Sequence, residues 1–386
     1  MKEWKECTIS DLGEVVGGAT PSTKKPENYE NGKISWITPK DLSTLSGRYI
    51  IRGERNITET GLNSCSAKLL PPKTILFSSR APIGYIAIAA NEMSTNQGFK
   101  SVVPNADTDY MFLYYLLIFN KDNIENMGSG TTFKEVSGNT MKSIKVRVPV
   151  DKEEQHRIGA ILSALDDKIE QNTAINENLE QQAQALYANM FIQNSSNQWS
   201  AGILSDVAEI TMGQSPKGDT YNEDGVGTVF FQGRGEFGFR FPTRRLFTTD
   251  PKRMAQSNDV LISIRAPVGD LNVAYEPCCI GRGLGAIRSR DGHQSFVLYT
   301  VFSLREKLNL FNGEGTVFGS INRDALNSMP IVIPTKEEMN QFEKIVAPMD
   351  AAIRNYYKEI CRLEAVRDSL LPRLMSGEID VSNINI

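Results

Sequence analysis

Two stretches of the chain carry apolar residues at alternating intervals of four and three positions, the first over 158–190 and the second over 342–374. Such spacing places the apolar side chains on one stripe of an α-helix and repeats every seven residues, which is typical of a coiled-coil seam. The pattern predicts two long helices that pair antiparallel within the chain and hold two domains a fixed distance apart. A coiled coil between two molecules is the alternative.

A few residues interrupt these helical patterns. Asn172 and Asn176 occupy seam positions of the first helix, where a polar side chain penalises wrong registers. Pro348 lies near the start of the second helix, and a proline inside a helix removes a backbone hydrogen bond and clashes with the preceding turn. We therefore expect a break or a kink at Pro348.

Outside the helices, short runs rich in β-branched and aromatic residues alternate with loops, which predicts strands. The clearest runs are ISWIT (34–38), TILF (74–77), YIAIA (85–89), FKSVV (99–103) and IKVRV (144–148). A further helix is predicted from Thr108 or Asp109 to Asn120, with a counterpart over 295–307. Strands mixed with short helices predict an α/β (α+β) domain built on a curved sheet.

The globular pattern occurs twice in the same order, which indicates an internal repeat. The matching segments are RAPIG (80–84) with RAPVG (265–269), 3–22 with 198–217, and 128–149 with 313–334. The repeat and the antiparallel helices together predict a pseudo-two-fold relation between the two copies. The predicted domains are a first globular domain (1–150), a central helix (151–196), a second globular domain (197–334), and a distal helix with a tail (335–386).

Composition is compatible with two cores, because 40% of the 386 residues are hydrophobic. The sequence begins without the basic and apolar segments of a secretion signal. The longest apolar run, MFLYYLLIF (111–119), is shorter than the roughly 18 residues that a membrane span needs. The 5 cysteines show no C-x-x-C spacing, so neither a disulfide framework nor a zinc site is indicated. We expect a cytoplasmic protein.

Residues suited to catalysis are scattered along the chain. The two histidines, His156 and His293, lie far apart in sequence, which argues against a catalytic triad or a histidine-rich metal site. GRGEFG (233–238) matches the dinucleotide-binding fingerprint, but an aromatic segment with a proline follows where that motif requires a helix. GQSPKGDT (213–220) lacks the Gly-Lys-Ser/Thr of a phosphate-binding loop. We therefore expect no metal ion, no cofactor and no catalytic activity.

The net charge of −4 argues at first sight against a nucleic-acid partner. The acidic excess, however, lies mainly in the helical segments 151–196 and 335–386. In RGEFGFRFPTRRLF (234–247) arginines alternate with aromatic residues, which suits phosphate contacts and stacking on bases. Solvated loop charges are the alternative interpretation of the same pattern.

Three signatures in a fixed order resemble the specificity subunit of type I restriction–modification enzymes. EEQHRIGAILSALDDKIEQN (153–172) and RDSLLPRLMSGEIDV (367–381) resemble conserved helices of that family, and the two RAP-G motifs resemble its target-recognition domains. The resemblance covers essentially the whole chain. It implies a non-catalytic subunit whose two target-recognition domains read the two halves of a split, asymmetric sequence in double-stranded DNA. It also implies helices that dock two modification (methyltransferase) subunits and, through them, restriction subunits.

The two copies differ where a base-reading residue is expected. TNQGF (95–99) aligns with IGRGL (280–284), which sets Gln97 against Arg282. Glutamine suits adenine and arginine suits guanine in the major groove, each through two hydrogen bonds. A capping role for Gln97 and a solvated charge for Arg282 are the alternative. The other candidate DNA-binding residues are Lys24, Lys25, Tyr29, Lys40, Arg80 and Thr132 in the first copy, and Lys217, Tyr221, Arg234, Arg240, Arg244, Arg245 and Arg265 in the second.

The RAP-G motifs lie between predicted strands, so Pro82 and Gly84 are expected to shape a turn. Arg80 and Arg265 suit a phosphate contact or a structural role beside that turn equally well.

Two other functions remain open from the sequence. A methyltransferase-like protein would carry its own S-adenosylmethionine site, and FQGRG (231–235) resembles such a loop. A homodimeric DNA-binding regulator would take its second reading domain from another chain, which the internal repeat makes unnecessary. Titration with S-adenosylmethionine discriminates the first alternative, and the mass of the free protein discriminates the second.

Overall fold

The computed structural model describes residues 3–130, 134–194, 196, 198–313, 319–382 and 384. The chain forms two compact units. The first comprises Met1–Asn172 together with Glu359–Ile386, and the second comprises Thr173–Lys358. Each unit therefore contains one globular copy of the repeat and one segment from each long helix.

Strands and short helices of the first unit alternate as the sequence predicts. Its strands are β1 (Trp4–Thr8), β2 (Gly13–Gly17), β3 (Ile34–Ile37), β4 (Tyr49–Ile50), β5 (Arg55–Ile57), β6 (Ile75–Ser79), β7 (Ile83–Ala89), β8 (Ser94–Thr95), β9 (Lys100–Pro104) and β10 (Lys145–Pro149). Its short helices are α1 (Ile9–Leu12), α2 (Pro39–Ser43), α3 (Glu59–Asn63), α4 (Tyr110–Phe119), α5 (Lys121–Asn126) and α6 (Gly138–Ser143). The first long helix, α7, spans Lys152–Ala188.

These strands form a five-stranded sheet in the order β2-β9-β6-β7-β4, a three-stranded sheet in the order β5-β3-β8, and the pair β1-β10. Neighbours are antiparallel except for β3–β8 and β4–β7. The predicted strands are confirmed as β3, β6, β7, β9 and β10. The predicted helix α4 begins where expected, because the Asp109 carboxylate accepts hydrogen bonds from Met111 N and Phe112 N at 2.9 Å each.

The second unit repeats this plan. Its strands are β11 (Ser200–Ile203), β12 (Ala208–Met212), β13 (Tyr221–Asn222), β14 (Thr228–Phe231), β15 (Leu246–Thr248), β16 (Met254–Ala255), β17 (Val260–Ser263), β18 (Leu271–Val273), β19 (Cys278–Ile280), β20 (Leu284–Ser289) and β21 (Pro330–Ile333). Its helices are α8 (Leu204–Val207), α9 (Gln294–Ser303), α10 (Arg305–Asn309) and α11 (Arg323–Asn327), and the second long helix is α12 (Lys336–Met375). The single helix predicted over 295–307 is thus divided into α9 and α10.

The sheets of the second unit have matching orders: β12-β20-β17-β18, β13-β15-β14-β19-β16 and β11-β21. The pair β14–β19 is parallel, as is its counterpart β3–β8. The same strand connections in both units confirm the internal repeat.

The two long helices run antiparallel where they meet in the first unit. Asp166 pairs with Arg367 at 2.8 Å, and Asn172 Nδ2 donates a hydrogen bond to Glu359 Oε2 at 3.0 Å. Residue numbers therefore rise along α7 as they fall along α12, which confirms the predicted pairing within one chain.

The second unit joins the end of α7 to the start of α12. The Tyr187 ring lies 5.8 Å from the Phe342 ring. The buried residues that α7, the turn after it and α12 give to the core of the second unit are Ala183, Tyr187, Phe191, Met339, Phe342, Val346 and Ile353. Seam positions such as Ala183, Phe342, Val346 and Ile353 therefore belong to the core of the globular copy.

α12 continues through Pro348, so of the two predicted outcomes the break was wrong, while the kink stays a prediction. Val346 and Ile353, on either side of the proline, are fully buried in the core of the second unit. This packing stabilises a helical backbone that the proline disfavours locally.

The end of α12 and the residues that follow it contribute to the core of the first unit. Leu374, Met375 and Val381 are buried in its core. Just after the end of α12, Gly377 has a positive φ of 77°. A Cβ atom on Gly377 would lie 2.9 Å from the Trp4 ring. The first unit is therefore built from both ends of the described chain.

Candidate nucleic-acid interface

A close approach between two loops forms an exposed tip in the first unit. A Cβ atom on Gly18 would lie 2.0 Å from Asn96 O, so only glycine fits where the segment after β2 meets the loop after β8. Next to this contact, Thr20 Oγ1 donates a hydrogen bond to Gln97 Oε1. Gln97 is exposed. We call these residues, 18–25 and 96–98, the first tip.

Lys24 and Lys25 lie on the first tip and are both exposed. They form no ion pair with any residue in the described ranges. Tyr29 fixes the segment that carries them, because its OH donates to Pro21 O at 2.6 Å and its ring lies 4.6 Å from the Arg55 guanidinium. Burial raises the pKa of Tyr29, as expected for a residue that supports the tip from within.

An equivalent tip forms in the second unit. A Cβ atom on Gly213 would lie 2.2 Å from Gly281 O, and the Arg282 backbone N donates to Ser215 Oγ at 3.2 Å. The Arg282 side chain is exposed and makes no ion pair within the part of the chain that the structure describes. The second tip comprises residues 213–217 and 281–283.

Sequence reasoning missed Thr20 and Ser215. Both are hydroxyl residues, and the alignment of 3–22 with 198–217 places them at the same position of the repeat. Each contacts the residue at which the two loops differ, Gln97 or Arg282. Their equivalent positions in the repeat were the sequence signal that could have identified them.

Lys217 and Tyr221 repeat the arrangement of the first tip. Tyr221 OH donates to Pro216 O at 3.0 Å, and its ring lies 4.9 Å from the Phe230 ring. Lys217 is exposed, without an ion pair to any described residue. Each tip is therefore supported by a neighbouring tyrosine and carries at least one exposed lysine that has no ion pair among the residues the structure describes.

Four of the other predicted cations on the surface are paired with carboxylates. The pairs are Lys40 with Glu54, Arg234 with Asp270, Arg244 with Glu276, and Arg245 with Glu223 and Glu236. A hydrogen bond from Lys40 to Glu54 raises the lysine pKa. Because exposed ion pairs are weak, these cations can exchange a carboxylate for a phosphate, but they are less available than the unpaired lysines.

The RAP-G motifs form the predicted turns, with Gly84 at φ 91° and Gly269 at φ 93°, where glycine is favoured. Arg80 is held beside its turn by Glu135, whose Oε2 lies 3.7 Å from Arg80 Nη1. Arg265 is exposed and has no ion pair among the described residues. The two arginines thus differ in their availability to a phosphate.

Arg240 does not belong to this surface. It is 3% exposed, its Nη1 donates to Glu180 Oε1 at 2.8 Å, and its Nη2 pairs with Asp350. Burial raises the pKa of Glu180, while the pairing with Arg240 opposes that shift. The prediction that Arg240 binds DNA was wrong, because the alternating pattern of 234–247 does not distinguish an arginine directed into the core. Thr132 lies outside the described residues.

The structure gives the FQGRG and GRGEFG segments no cofactor-binding context. After β14 the chain forms a 3-10 turn over Arg234–Glu236 and continues to β15, so the helix that a dinucleotide fingerprint requires is missing from this described stretch. Within the described ranges, no group of three or more His, Cys, Asp or Glu side chains is placed to hold a metal ion. The described helices include none long and apolar enough to span a membrane.

A duplicated α/β fold, an antiparallel helix pair within one chain, and an exposed basic tip on each copy are the features that a DNA-recognition protein with two reading domains would have. The family described as type I restriction modification DNA specificity domain matches residues 1–181 and again residues 197–364. The chain belongs to this family, which confirms the resemblance seen in the sequence. It is a specificity subunit of the type I restriction–modification class.

Individual relatives agree with this assignment. The type I restriction enzyme MjaIX specificity subunit of Methanocaldococcus jannaschii is 31% identical over 416 residues, covering 99% of this chain and 95% of the relative. The putative MjaX specificity subunit of the same organism is 31% identical over 409 residues, covering 98% and 94%. A crystal structure of a type I restriction–modification S subunit from M. genitalium superposes with a TM-score of 0.64 at 18% identity, over 97% of this chain and 96% of that one. The last comparison shows a shared fold.

Proposed function

We propose that the chain reads a split, asymmetric sequence in double-stranded DNA, with the first globular domain (1–150) reading one half and the second (197–334) the other. The observation that carries this proposal is the duplicated tip. Beside the glycine contacts, the backbone repeats a hydrogen bond, from Ala19 N to Thr95 O at 3.0 Å and from Gln214 N to Ile280 O at 2.9 Å. On this common frame the exposed side chain differs, so the two halves of the target differ too.

Gln97 is the proposed adenine reader of the first tip. A glutamine reads adenine by accepting from N6 and donating to N7. The Thr20 hydroxyl occupies one lone pair of Gln97 Oε1, which orients the amide and leaves a second lone pair and the Nε2 protons for the base. Arg282 is the proposed guanine reader of the second tip, because its exposed guanidinium can donate to both O6 and N7.

The unpaired cations of the tips are the proposed phosphate contacts. Lys24 and Lys25 in the first tip and Lys217 in the second are exposed, and lysines that neutralise phosphates supply most of the sequence-independent affinity for DNA. Arg265 joins this group. The paired cations Lys40, Arg80, Arg234, Arg244 and Arg245 contribute less, since each must first leave a carboxylate. Tyr29 and Tyr221 act by holding the segments that carry the lysines.

The long helices are the proposed docking elements for two modification (methyltransferase) subunits and, through them, for restriction subunits. The segments 151–196 and 335–386 carry the acidic excess of the chain and unite the two copies of the repeat. We further propose that their length determines the gap between the two half-sites. The chain itself is proposed to be non-catalytic, since its contribution is recognition and the methyl-transfer chemistry belongs to the partners. We also propose that it is cytoplasmic.

Exchange of one reading domain tests the proposal. Residues 1–150 are replaced by the first domain of a related subunit, the hybrid is expressed with its modification subunits, and the methylated sequences of the cell are determined. We expect one half of the methylated sequence to change and the other half to stay. The reciprocal exchange of 197–334 is the matched control and should change only the other half. Changes in both halves after a single exchange would contradict the proposal.

Titration of the isolated chain with S-adenosylmethionine addresses the methyltransferase alternative. We expect no binding without the partner subunits, whereas saturable binding at stoichiometric concentration would support that alternative. Measurement of the mass of the free chain addresses the homodimeric-regulator alternative. We expect a monomer, because one chain supplies both tips.

A further inference from the structure

A buried arginine joins the globular part of the first unit to α7. The Arg48 side chain is 4% exposed. Its Nε donates to Glu170 Oε1 at 3.0 Å, its Nη1 donates to Ser163 Oγ at 2.8 Å, and its Nη2 pairs with Asp167. One guanidinium therefore holds the loop before β4 against three positions of the helix. These four residues form the first arginine cluster.

The second unit contains a comparable cluster around Arg240, the residue that sequence reasoning placed on the DNA surface. Its Nη1 donates to Glu180 on α7 and its Nη2 pairs with Asp350 on α12. The second arginine cluster comprises Arg240, Glu180 and Asp350. In this unit the guanidinium connects the globular copy to both long helices.

A tyrosine accompanies each arginine. Tyr115 OH in α4 lies 3.5 Å from Arg48 Nη1, and Tyr299 OH in α9 lies 3.3 Å from Arg240 Nη2. Each hydroxyl also donates to an aspartate of a long helix, Tyr115 to Asp166 at 2.5 Å and Tyr299 to Asp350 at 2.8 Å. The duplicated tyrosine–aspartate bond indicates that the two clusters are versions of one feature.

Backbone pairing shows that Arg48 and Arg240 are equivalent, although the sequences around them differ. Ile88 N donates to Arg48 O at 2.8 Å, and Val273 N donates to Arg240 O at 2.9 Å. Ile88 and Val273 follow the two RAP-G motifs at the same distance along the chain. The arginine thus occupies the same place in both copies of the fold.

In the first unit, a short connection leads from the tip to the cluster. Asn96 N, in the first tip, donates to Ile37 O at the end of β3 at 2.9 Å. From Ile37 the chain continues through α2 and reaches Arg48 before it enters β4. The connection is therefore fixed at one end to the reading loop and at the other to α7.

The second unit has the same connection. Gly281 N, in the second tip, donates to Phe231 O at the end of β14 at 2.8 Å. The chain then continues through the 3-10 turn and reaches Arg240 before β15. A rotation of either globular copy against its helices would have to break the ion pairs of the buried arginine at the end of this connection.

Arginine is required at these positions for a geometric reason. Its planar guanidinium donates to several acceptors in fixed directions, whereas a lysine ammonium offers a single charged point. A guanidinium buried as these two are is destabilising when it loses a partner, because the charge is then left uncompensated. A lysine would retain the charge but could satisfy only part of each cluster.

We propose that Arg48 and Arg240 are positioning residues for DNA modification, each orienting its own tip relative to the helices that carry the modification subunits. This inference rests on the proposed function. Its specific consequence is that the rate of modification depends on Arg48 in the half-site read by the first tip and on Arg240 in the half-site read by the second.

The test uses the full chain assembled with its modification subunits and DNA in which one half-site is already methylated. Each of two such substrates then has a single acceptor half-site, assigned to a tip by the domain exchange described above. We expect Arg48→Lys to slow methylation of the first tip's half-site at least fivefold more than that of the other half-site. Arg240→Lys should show the reverse preference.

Matched controls separate positioning from a loss of folded protein. Leu113→Ala in the first unit and Val297→Ala in the second remove buried core side chains outside the clusters. They should lower the melting temperature and slow both half-sites by equal factors. Glu170→Gln and Glu180→Gln are milder variants that keep the arginine with its other partners, and each should give a smaller preference of the same sign as the arginine variant in its unit.

Equal slowing of both half-sites by Arg48→Lys and by Arg240→Lys, or no slowing at either, would overturn the inference. If Arg48→Lys or Arg240→Lys does not fold, Glu170→Gln or Glu180→Gln replaces it in the test. Equal slowing of both half-sites by that glutamine variant, or no slowing at either, then overturns the inference. An unaltered complex that fails to modify its target would instead overturn the proposed function, so the two failures are distinguishable.

Discussion

Thr20 Oγ1 donates a hydrogen bond to Gln97 Oε1, across 77 positions of sequence. In the other copy the hydroxyl of Ser215 accepts a hydrogen bond from the Arg282 backbone N. A hydroxyl at one position of the repeat therefore contacts, in both copies, the residue at which the two loops differ. Substitution of Gln97 or Arg282 therefore tests directly whether this position reads a base.

Gln97→Arg should change the preferred base at one position of the first half-site from adenine to guanine, because arginine matches the guanine acceptors. A side chain with two hydrogen bonds to its base discriminates against the wrong base by about 1–3 kcal/mol. The methylated sequences of cells that carry the variant report the base directly. The second half-site should not change, and an unaltered first half-site with full activity would show that Gln97 does not read a base.

Thr20→Val is the companion variant. Valine retains the approximate shape but removes the hydroxyl that orients the Gln97 amide. We expect the same position to tolerate more bases, without a new preference. Retained discrimination would show that the amide needs no support.

Lys24→Ala combined with Lys25→Ala should weaken DNA binding and make it less sensitive to salt. Each phosphate contact that is lost should reduce the slope of log K against log salt by about 0.9. Lys40→Ala is the matched control, because Lys40 is already paired with Glu54 at 2.8 Å, and it should change the slope less. Binding of a fluorescent duplex across a salt series measures both. Equal slopes for the double variant and the original chain would remove these lysines from the interface.

His293 should make the stability of the second unit depend on pH. Burial would lower the His293 pKa, but contacts at 2.9 Å from Nε2 to Asn340 and from Nδ1 to Asp291 outweigh it and raise the pKa. A raised folded pKa means that protonation stabilises the folded state. This contribution is complete below the unfolded value near 6.5 and is lost as pH rises through the folded pKa.

His293→Gln should therefore lower the melting temperature most below about pH 6.5 and least at alkaline pH. Thermal unfolding of both proteins between about pH 5.5 and pH 9 gives the comparison. A difference in melting temperature that is constant over this range would contradict the assignment.

Thiol reactivity should differ sharply between two cysteines. Burial raises the pKa of Cys278 to about 12, and the residue is fully buried, so little of the reactive thiolate forms and reagents cannot reach it. Cys361 is exposed on α12. At about pH 8 an alkylating reagent should label Cys361 in the folded protein and Cys278 only after unfolding. Mass spectrometry of peptides identifies the sites, and prompt labelling of Cys278 in the folded protein would refute this prediction.

Pro348→Ala should stabilise the second unit. The proline is exposed within α12, and its replacement restores a helical backbone donor at a gain of up to about 3 kcal/mol. Urea unfolding monitored by circular dichroism measures the change. Lower stability would show that the surrounding packing depends on the proline.

The sequence predicts those parts of the fold whose signal is local or repeated. The spacing of apolar residues identifies α7 and α12, since a helix buries one stripe over many turns. The duplicated RAP-G motifs locate the turns at Gly84 and Gly269. β4, β5 and β8 were missed because strands of two or three residues are too short for an alternating pattern and depend on pairing with distant partners.

The candidate site was predictable only in part, for a related reason. Exposed residues such as Lys24 and Gln97 lie in loops of suitable composition, so they could be proposed from sequence. The tip itself depends on contacts between segments far apart in the chain, as between Gly18 and Asn96. Arg240 was assigned to the wrong surface and Arg48 was overlooked, because composition does not reveal whether an arginine finds carboxylates in the interior.

The composition of the first unit has a consequence for biosynthesis. The second unit is a continuous stretch, Thr173–Lys358, and can complete its core as soon as that stretch has left the ribosome. The first unit buries Leu374, Met375 and Val381, which are translated only after the whole second unit. Its core therefore lacks these three side chains until the second unit has been made, although domains usually fold in the order in which they are made. We therefore expect the part of the protein that is synthesised first to complete its core last.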